Sequence, residues 1–177
     1  MNHYTFFMLK PSTLRNKTGG LFGKPLAEEI ISFIKKQGFQ IVEQKIVGLS
    51  RTDLLRVYGE ELKKAKGIDR NLALFLLNEQ KNTIQNGKVM LLLTYHPTKD
   101  AIALGTEIKG DNFNPAKCRH DTIRYIFRDK SWDAVVMKPG KYINAPTDNV
   151  VHCPDCKAEF DPVVRKFFPD KLKLISK

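Results

Sequence analysis

The chain has 177 residues, of which 42% are apolar and 28% charged; this fits one soluble domain with its own core, and no low-complexity segment interrupts it. Thirty Lys and Arg against 19 acids give a net charge of +11, which favours a polyanionic partner, either a nucleoside triphosphate or nucleic acid. The three cysteines argue against a disulfide framework. The apolar run Val89–Leu93 is far too short to cross a bilayer, and Met1-Asn2-His3-Tyr4 lacks the layout of a secretory signal, so a cytoplasmic protein with no membrane partner is expected.

In chain order, Tyr4 to Leu9 is aromatic and apolar and predicts a buried strand. Pro11 to Gly23, rich in Ser, Asn, Lys and Gly, predicts a loop. Pro25 can open a helix carrying Leu26, Ile30, Ile31 and Ile34, which Gly38 ends. A second strand follows from Phe39 to Val47. Ser50, with Asp53 three residues on, predicts a capped helix bearing Leu54, Leu55 and Leu62. A further helix is predicted over Arg70 to Ile84 and a third strand over Val89 to Tyr95. Pro97 to Leu104 predicts a short helix, and Gly110 to Thr122 a loop. After a poorly patterned stretch comes a last strand, Val150 to His152. Asp161-Pro162 has the form of an N-cap and first turn for a helix to Phe168. This order suits an α+β ferredoxin-like sandwich: an antiparallel sheet of about four strands backed by helices.

His152 closes the run Asn149-Val150-Val151-His152, at the end of a predicted buried strand. Elsewhere stand an isolated Lys10 after the first strand and an Arg124 that closes Asn114-Pro115, five residues, Asp121-Thr122-Ile123-Arg124. Imidazole can supply the nucleophile for phosphoryl transfer through nitrogen, and the cations can carry the phosphate charge. A lone histidine after a strand is otherwise a satisfied core residue, Lys10 a snorkelling edge lysine, and Arg124 half of a surface ion pair. The dispersed basic residues, such as Lys35-Lys36 and Arg165-Lys166, read as solvated helix faces. Cys118, His120, Cys153 and Cys156 could assemble a zinc site, Cys153 and Cys156 as a Cys-x-x-Cys, although Cys118-Arg119-His120 is a poor doublet and free thiols are favoured.

The opening strand ending in Lys10-Pro11, the Asn-Pro loop and the Asn-Val-Val-His strand, in that order from about Thr5 to Phe168, resemble the nucleoside diphosphate kinase family. The resemblance implies a single domain over 1–177 with the same fold, carrying extra residues within 128–148. It implies that His152 is phosphorylated by a nucleoside triphosphate and passes the group to a nucleoside diphosphate. Lys10 and Arg124 would hold the phosphates, Asn149 a sugar hydroxyl, Tyr58 would stand in the active site, and Phe75 is a candidate for stacking on the base. Mg2+ would arrive on the nucleotide phosphates, and the protein would be a homo-oligomer.

The chain departs from the family pattern at several places. The family's histidine-orienting Glu, eleven residues after the His, falls on Val163. Glu159 is the preferred replacement, with Asp161 occupied as a helix cap. The family's Ser two residues after the His is Pro154, its Thr before Asn-Pro is Phe113, and its second phosphate Arg is Glu107, with Lys109 the closest cation. Two other readings stay open: an inactive relative acting as a binding or scaffold protein, and a basic nucleic-acid-binding module.

Overall fold

The structure is a computed structural model, and it describes residues 1–17, 23–64, 87–138, 141–143 and 149–175. Four strands form one antiparallel sheet: β1 (Tyr4–Leu9), β2 (Gln40–Gly48), β3 (Lys88–Tyr95) and β6 (Val151–His152), in the order β2-β3-β1-β6. Every pair is antiparallel; Phe6 faces Leu93 across β1–β3, and Met8 faces His152 across β1–β6. With crossover helices between β1 and β2 and between β3 and β6, this is the ferredoxin-like α+β topology.

Side chains alternate across a strand, and here both sheet faces are covered. Phe6, Met8, Leu91 and Leu93 pack under α3 (Arg51–Lys64) and α6 (Lys157–Phe167), using Leu54, Val57, Phe160, Val163 and Val164. Phe7, Leu9 and Leu92 pack under α2 (Leu26–Lys36) and α4 (Ala101–Lys109), using Ile30, Ile34, Leu104 and Ile108. This two-sided burial is why β1 is apolar at every position from Phe6 to Leu9. Each such side chain removed from water contributes roughly 1.5–3 kcal/mol. No helix among the described residues is long and apolar enough to cross a membrane.

The Ser50–Asp53 box forms as expected: Asp53 Oδ2 accepts from Ser50 N at 3.1 Å, and Asp53 N donates to Ser50 Oγ at 3.2 Å. Elsewhere the structure differs from the sequence expectation. A short helix α1 (Pro11–Arg15) replaces the start of the expected loop, because Pro11 sits at its first turn and Thr13 Oγ1 donates back to Lys10 O at 2.8 Å. The helix expected from Pro97 begins only at Ala101. Asp100 fixes that start by accepting from Ile102 N and Ala103 N at 3.1 Å each.

Asp161 is not a cap. Helix α6 starts at Lys157, with Pro162 inside it, and Asp161 pairs with Lys157 one turn back at 2.6 Å. The start is held instead by Glu159, whose Oε2 accepts from Asp155 N at 2.8 Å. Within the 128–148 segment lie a 3-10 turn (Lys130–Ala134) and a hairpin of β4 (Val136–Lys138) and β5 (Lys141–Ile143). The short helix α5 (Ile123–Ile126) follows the Asn-Pro loop, and α7 (Leu172–Ile175) closes the described chain. The helix expected over Arg70 to Ile84 lies outside the described residues.

Candidate active site

The antiparallel pairing of β1 with β6 brings the two ends of the sequence to one place. β1 stops at Leu9, so Lys10 emerges beside the strand that ends in His152. Lys10 is fully buried, its Nζ donates to Asn149 Oδ1, and it lies 6.0 Å from the centre of the Tyr58 ring. Asn149 is turned by a second bond, Nδ2 donating to Phe113 O at 3.1 Å. Tyr58, one face of α3, sets its ring 4.6 Å from the His152 ring. His152 is only 1% exposed, and Phe6 flanks it at 6.2 Å.

Val150 has φ 75, inside this run. A β-branched residue in the left-handed region is strained by about 1–3 kcal/mol and persists only where its surroundings over-determine it. Here the surroundings are explicit: Lys10 N donates to Val150 O at 2.9 Å. Val150 itself is buried in the core beneath the strand.

Arg124, 8% exposed, directs its guanidinium at backbone carbonyls. Nε and Nη2 each donate to Val151 O at 3.3 Å, and Nη1 donates to Gly110 O at 3.2 Å and Asn112 O at 2.9 Å. The planar fork that suits phosphate oxygens here binds the loop to the strand. Gly110 permits this: it has φ +104, and a Cβ there would meet Cys118 Sγ at 2.9 Å.

Lys109, at the end of α4, completes a group of buried cations. Its Nζ lies 2.6 Å from Asp155 Oδ1 and 3.4 Å from Cys153 O. Burial, then the charges of Lys109, Lys10 and Arg124, hold His152 well below the usual imidazole value, so the ring is neutral at pH 7. The neighbouring Cys153 thiol is pushed up to about 11 by burial and stays protonated. An unprotonated ring nitrogen can act as a nucleophile, and cations nearby favour an anionic reaction partner.

Of the residues singled out in the sequence, Lys10, Tyr58, Arg124, Asn149 and His152 meet here. Glu159 joins through Asp155, which follows His152 in the chain. Phe75 lies outside the described residues. Lys109 is named in the sequence as the cation nearest the missing Arg, but its hold on the segment after His152, and that of Thr106, are not foreseen. A lysine one turn after a threonine, at the end of a helix whose first five residues are Ala, Ile, Ala, Leu and Gly, is the trace they leave. Among the described residues no three His, Cys, Asp or Glu side chains converge to hold a metal. Cys118 Sγ instead approaches Asn112 O at 3.2 Å, and His120 stacks on Tyr125 at 4.2 Å.

Fold and site together define a ferredoxin-like α+β protein with a buried, neutral histidine at a strand end among cations. A profile of the family described as nucleoside diphosphate kinase matches residues 3–172, and the chain belongs to that family. Among curated proteins it is similar to the nucleoside diphosphate kinase of Sulfolobus acidocaldarius, 28% identical with 94% of this chain and 90% of the relative covered. The nucleoside diphosphate kinase of Methanocaldococcus jannaschii is 25% identical, with 96% of each chain covered. Among solved structures, the nucleoside-diphosphate kinase of Borrelia burgdorferi, a transition state mimic with bound vanadate and ADP, superposes with a TM-score of 0.66 at 17% identity. That match covers 95% of this chain and 88% of the other, and it supports the fold. The apo enzyme of Encephalitozoon cuniculi has a TM-score of 0.61 at 19% identity, over 96% and 91% of the two chains.

Proposed function

We propose that the protein is an active nucleoside diphosphate kinase working through a phosphohistidine. The observation that carries this reading is His152 itself: a neutral ring at a strand end, with Lys10, Lys109 and Arg124 as its charged neighbours and Tyr58 against its face. An unprotonated ring nitrogen attacks the terminal phosphorus of a nucleoside triphosphate. A nitrogen–phosphorus bond forms as the bond to the bridging oxygen breaks, and the diphosphate leaves with that electron pair. A terminal oxygen of the acceptor diphosphate then attacks the same phosphorus, and the ring regains its lone pair.

Lys10 balances the charge on the transferred group. Arg124 adds its charge while its fork holds the strand. Asn149, held by Lys10 and Phe113, would meet a sugar hydroxyl, and Glu159, which accepts from Asp155 N, would orient the ring through the segment after His152. Magnesium enters on the phosphates as part of the substrate. Assembly into a homo-oligomer belongs to the same reading; sedimentation as a monomer would remove it.

Labelling tests the mechanism. Incubation with triphosphate labelled at its terminal phosphorus is expected to give an acid-labile, alkali-stable phosphoprotein. His152→Ala should lose the label and lower turnover by several orders of magnitude while keeping the fold. A well-folded wild type that takes no label would instead make this a non-catalytic member of the family. Steeply salt-dependent binding to oligonucleotides would mark a nucleic-acid module.

A further inference from the structure

The backbone on both sides of His152 is clamped carbonyl by carbonyl. Before the histidine, Val150 O takes Lys10 N at 2.9 Å and Val151 O takes Arg124 at 3.3 Å. After it, Cys153 O takes Lys109 Nζ at 3.4 Å and Pro154 O takes Thr106 Oγ1 at 3.3 Å. The first half belongs to residues of the Lys-Pro and Asn-Pro segments. The second half belongs to α4 alone. Lys109 and Thr106 stand one turn apart on that helix, and both reach Asp155 Oδ1, at 2.6 and 3.1 Å.

The pairing is lopsided. Lys109 is 4% exposed overall, whereas the Asp155 side chain is 41% exposed. An ammonium drawn into the interior carries a desolvation cost that a half-exposed carboxylate only partly offsets. A packing requirement alone would be met by Met or Leu without that cost.

We propose that Lys109 is a positioning residue for His152, fixing the segment from Cys153 to Asp155 so that the ring stays aimed from the strand end. This rests on the phosphohistidine reading. It supplies from α4 a cation that the sequence pattern lacks upstream of the Asn-Pro loop, directed at the carbonyl of Cys153, the residue after the histidine.

The charges acting on the ring are Lys10 just after β1, Lys109 from α4 and Arg124 from α5, with Tyr58 of α3 packed against its face; Asp155 and Glu159 supply the carboxylates tied to the clamp. Removing Lys109 takes away a cation that disfavours the imidazolium, so the ring's pKa rises. The acid side of the phosphorylation rate profile then moves to higher pH.

Lys109→Met keeps the length and removes the charge. In single-turnover labelling with ATP, the rate of His152 phosphorylation should fall roughly ten- to a hundredfold, the scale of losing an outer support in a built site. ATP affinity should hold, and the acid limb should move to higher pH; Lys109→Arg should return the limb. A lysine that merely packs would change stability and leave the limb in place. Asp155→Asn loosens the same clamp from its exposed end, should slow labelling, and guards against a Met variant that does not fold. NMR titration of the His152 ring, run without nucleotide, should show a higher pKa in Lys109→Met than in wild type. If wild type takes no label, the kinase reading fails, and the His152 ring resonances without nucleotide still decide: moving in both Lys109→Met and Asp155→Asn they support the clamp, and unmoved in Asp155→Asn, which keeps the cation, they overturn it. Rates and titrations matching wild type in both variants would overturn the assignment.

Discussion

Glu159 and Val163 stand one turn apart on α6, and both are buried. Residues four apart share a helix face, so a carboxylate moved from the position of Val163 to that of Glu159 still points toward the sheet. Glu159→Gln should keep the packing, weaken the acceptor and slow His152 labelling by roughly ten- to a thousandfold. Asp161→Asn should be mild, because it loses only the ion pair with the exposed Lys157, an i,i+4 pair worth about 0.3–0.5 kcal/mol. Single-turnover labelling of both variants is the measurement, and the reverse order of damage would make Asp161 the orienter. Motif spacing in the sequence is enough to single out His152, Lys10, Arg124 and Asn149. It is not enough for the work of Asp161, because an Asp-Pro pair has the same form at the start of a helix as it has here, a turn inside one. Nor does a motif show that the fork of Arg124 binds carbonyls, since three-dimensional neighbours decide where a long side chain spends its donors.

At the scale of elements, the site depends on where α4 begins and ends. Asp100 caps its start, accepting from Ile102 N, Ala103 N and also Asn2 N at 3.0 Å, and Lys109 is its last residue. Asp100→Ala should cost about 1 kcal/mol, up to about 2, in urea unfolding. The hydrogen bonds from Asn2 and Ala103 hold the Asp100 carboxyl below the usual carboxylate value. Its contribution is therefore present above the ordinary Asp pKa and fades as pH falls through the lowered folded value, where wild type and Asp100→Ala should converge in stability. An equal difference at pH 7 and at strongly acid pH would remove the cap from this account. The Ser50–Asp53 box was legible because both partners lie within one turn of sequence. The shift of α4 was not, because Pro97 is as good an opening residue as any; what selects Asp100 is its bond to the N-terminal segment, far away in the chain. Strand order is likewise a long-range matter, yet β1 is recognisable: four successive apolar residues, Phe6 to Leu9, fit a strand covered on both faces.

At the scale of the whole molecule, the described residues form two cores, one on each sheet face, and a third small cluster outside the sheet. There Trp132 packs edge-on against Phe113 at 5.7 Å, with Val135 beside it. This cluster fastens the segment after Arg128 to the Asn-Pro loop, and Phe113, at the family's Thr position, is part of the fastening. The role of that substitution is invisible in sequence, since Trp132 lies in a stretch without periodicity. The positive charge is spread along the chain, and among the described residues the buried Lys10, Lys109 and Arg124 act on the histidine. Trp132 is the one tryptophan in the chain. Its neighbour Phe113 offers its carbonyl to Asn149, which in turn receives Lys10. The protein thus carries its own optical probe, wired by three contacts to Lys10. Intrinsic emission should change on adding ADP to wild type, and the change should shrink in Asn149→Ala, where two of the three contacts are gone; emission indifferent to saturating nucleotide would disconnect the probe from the site.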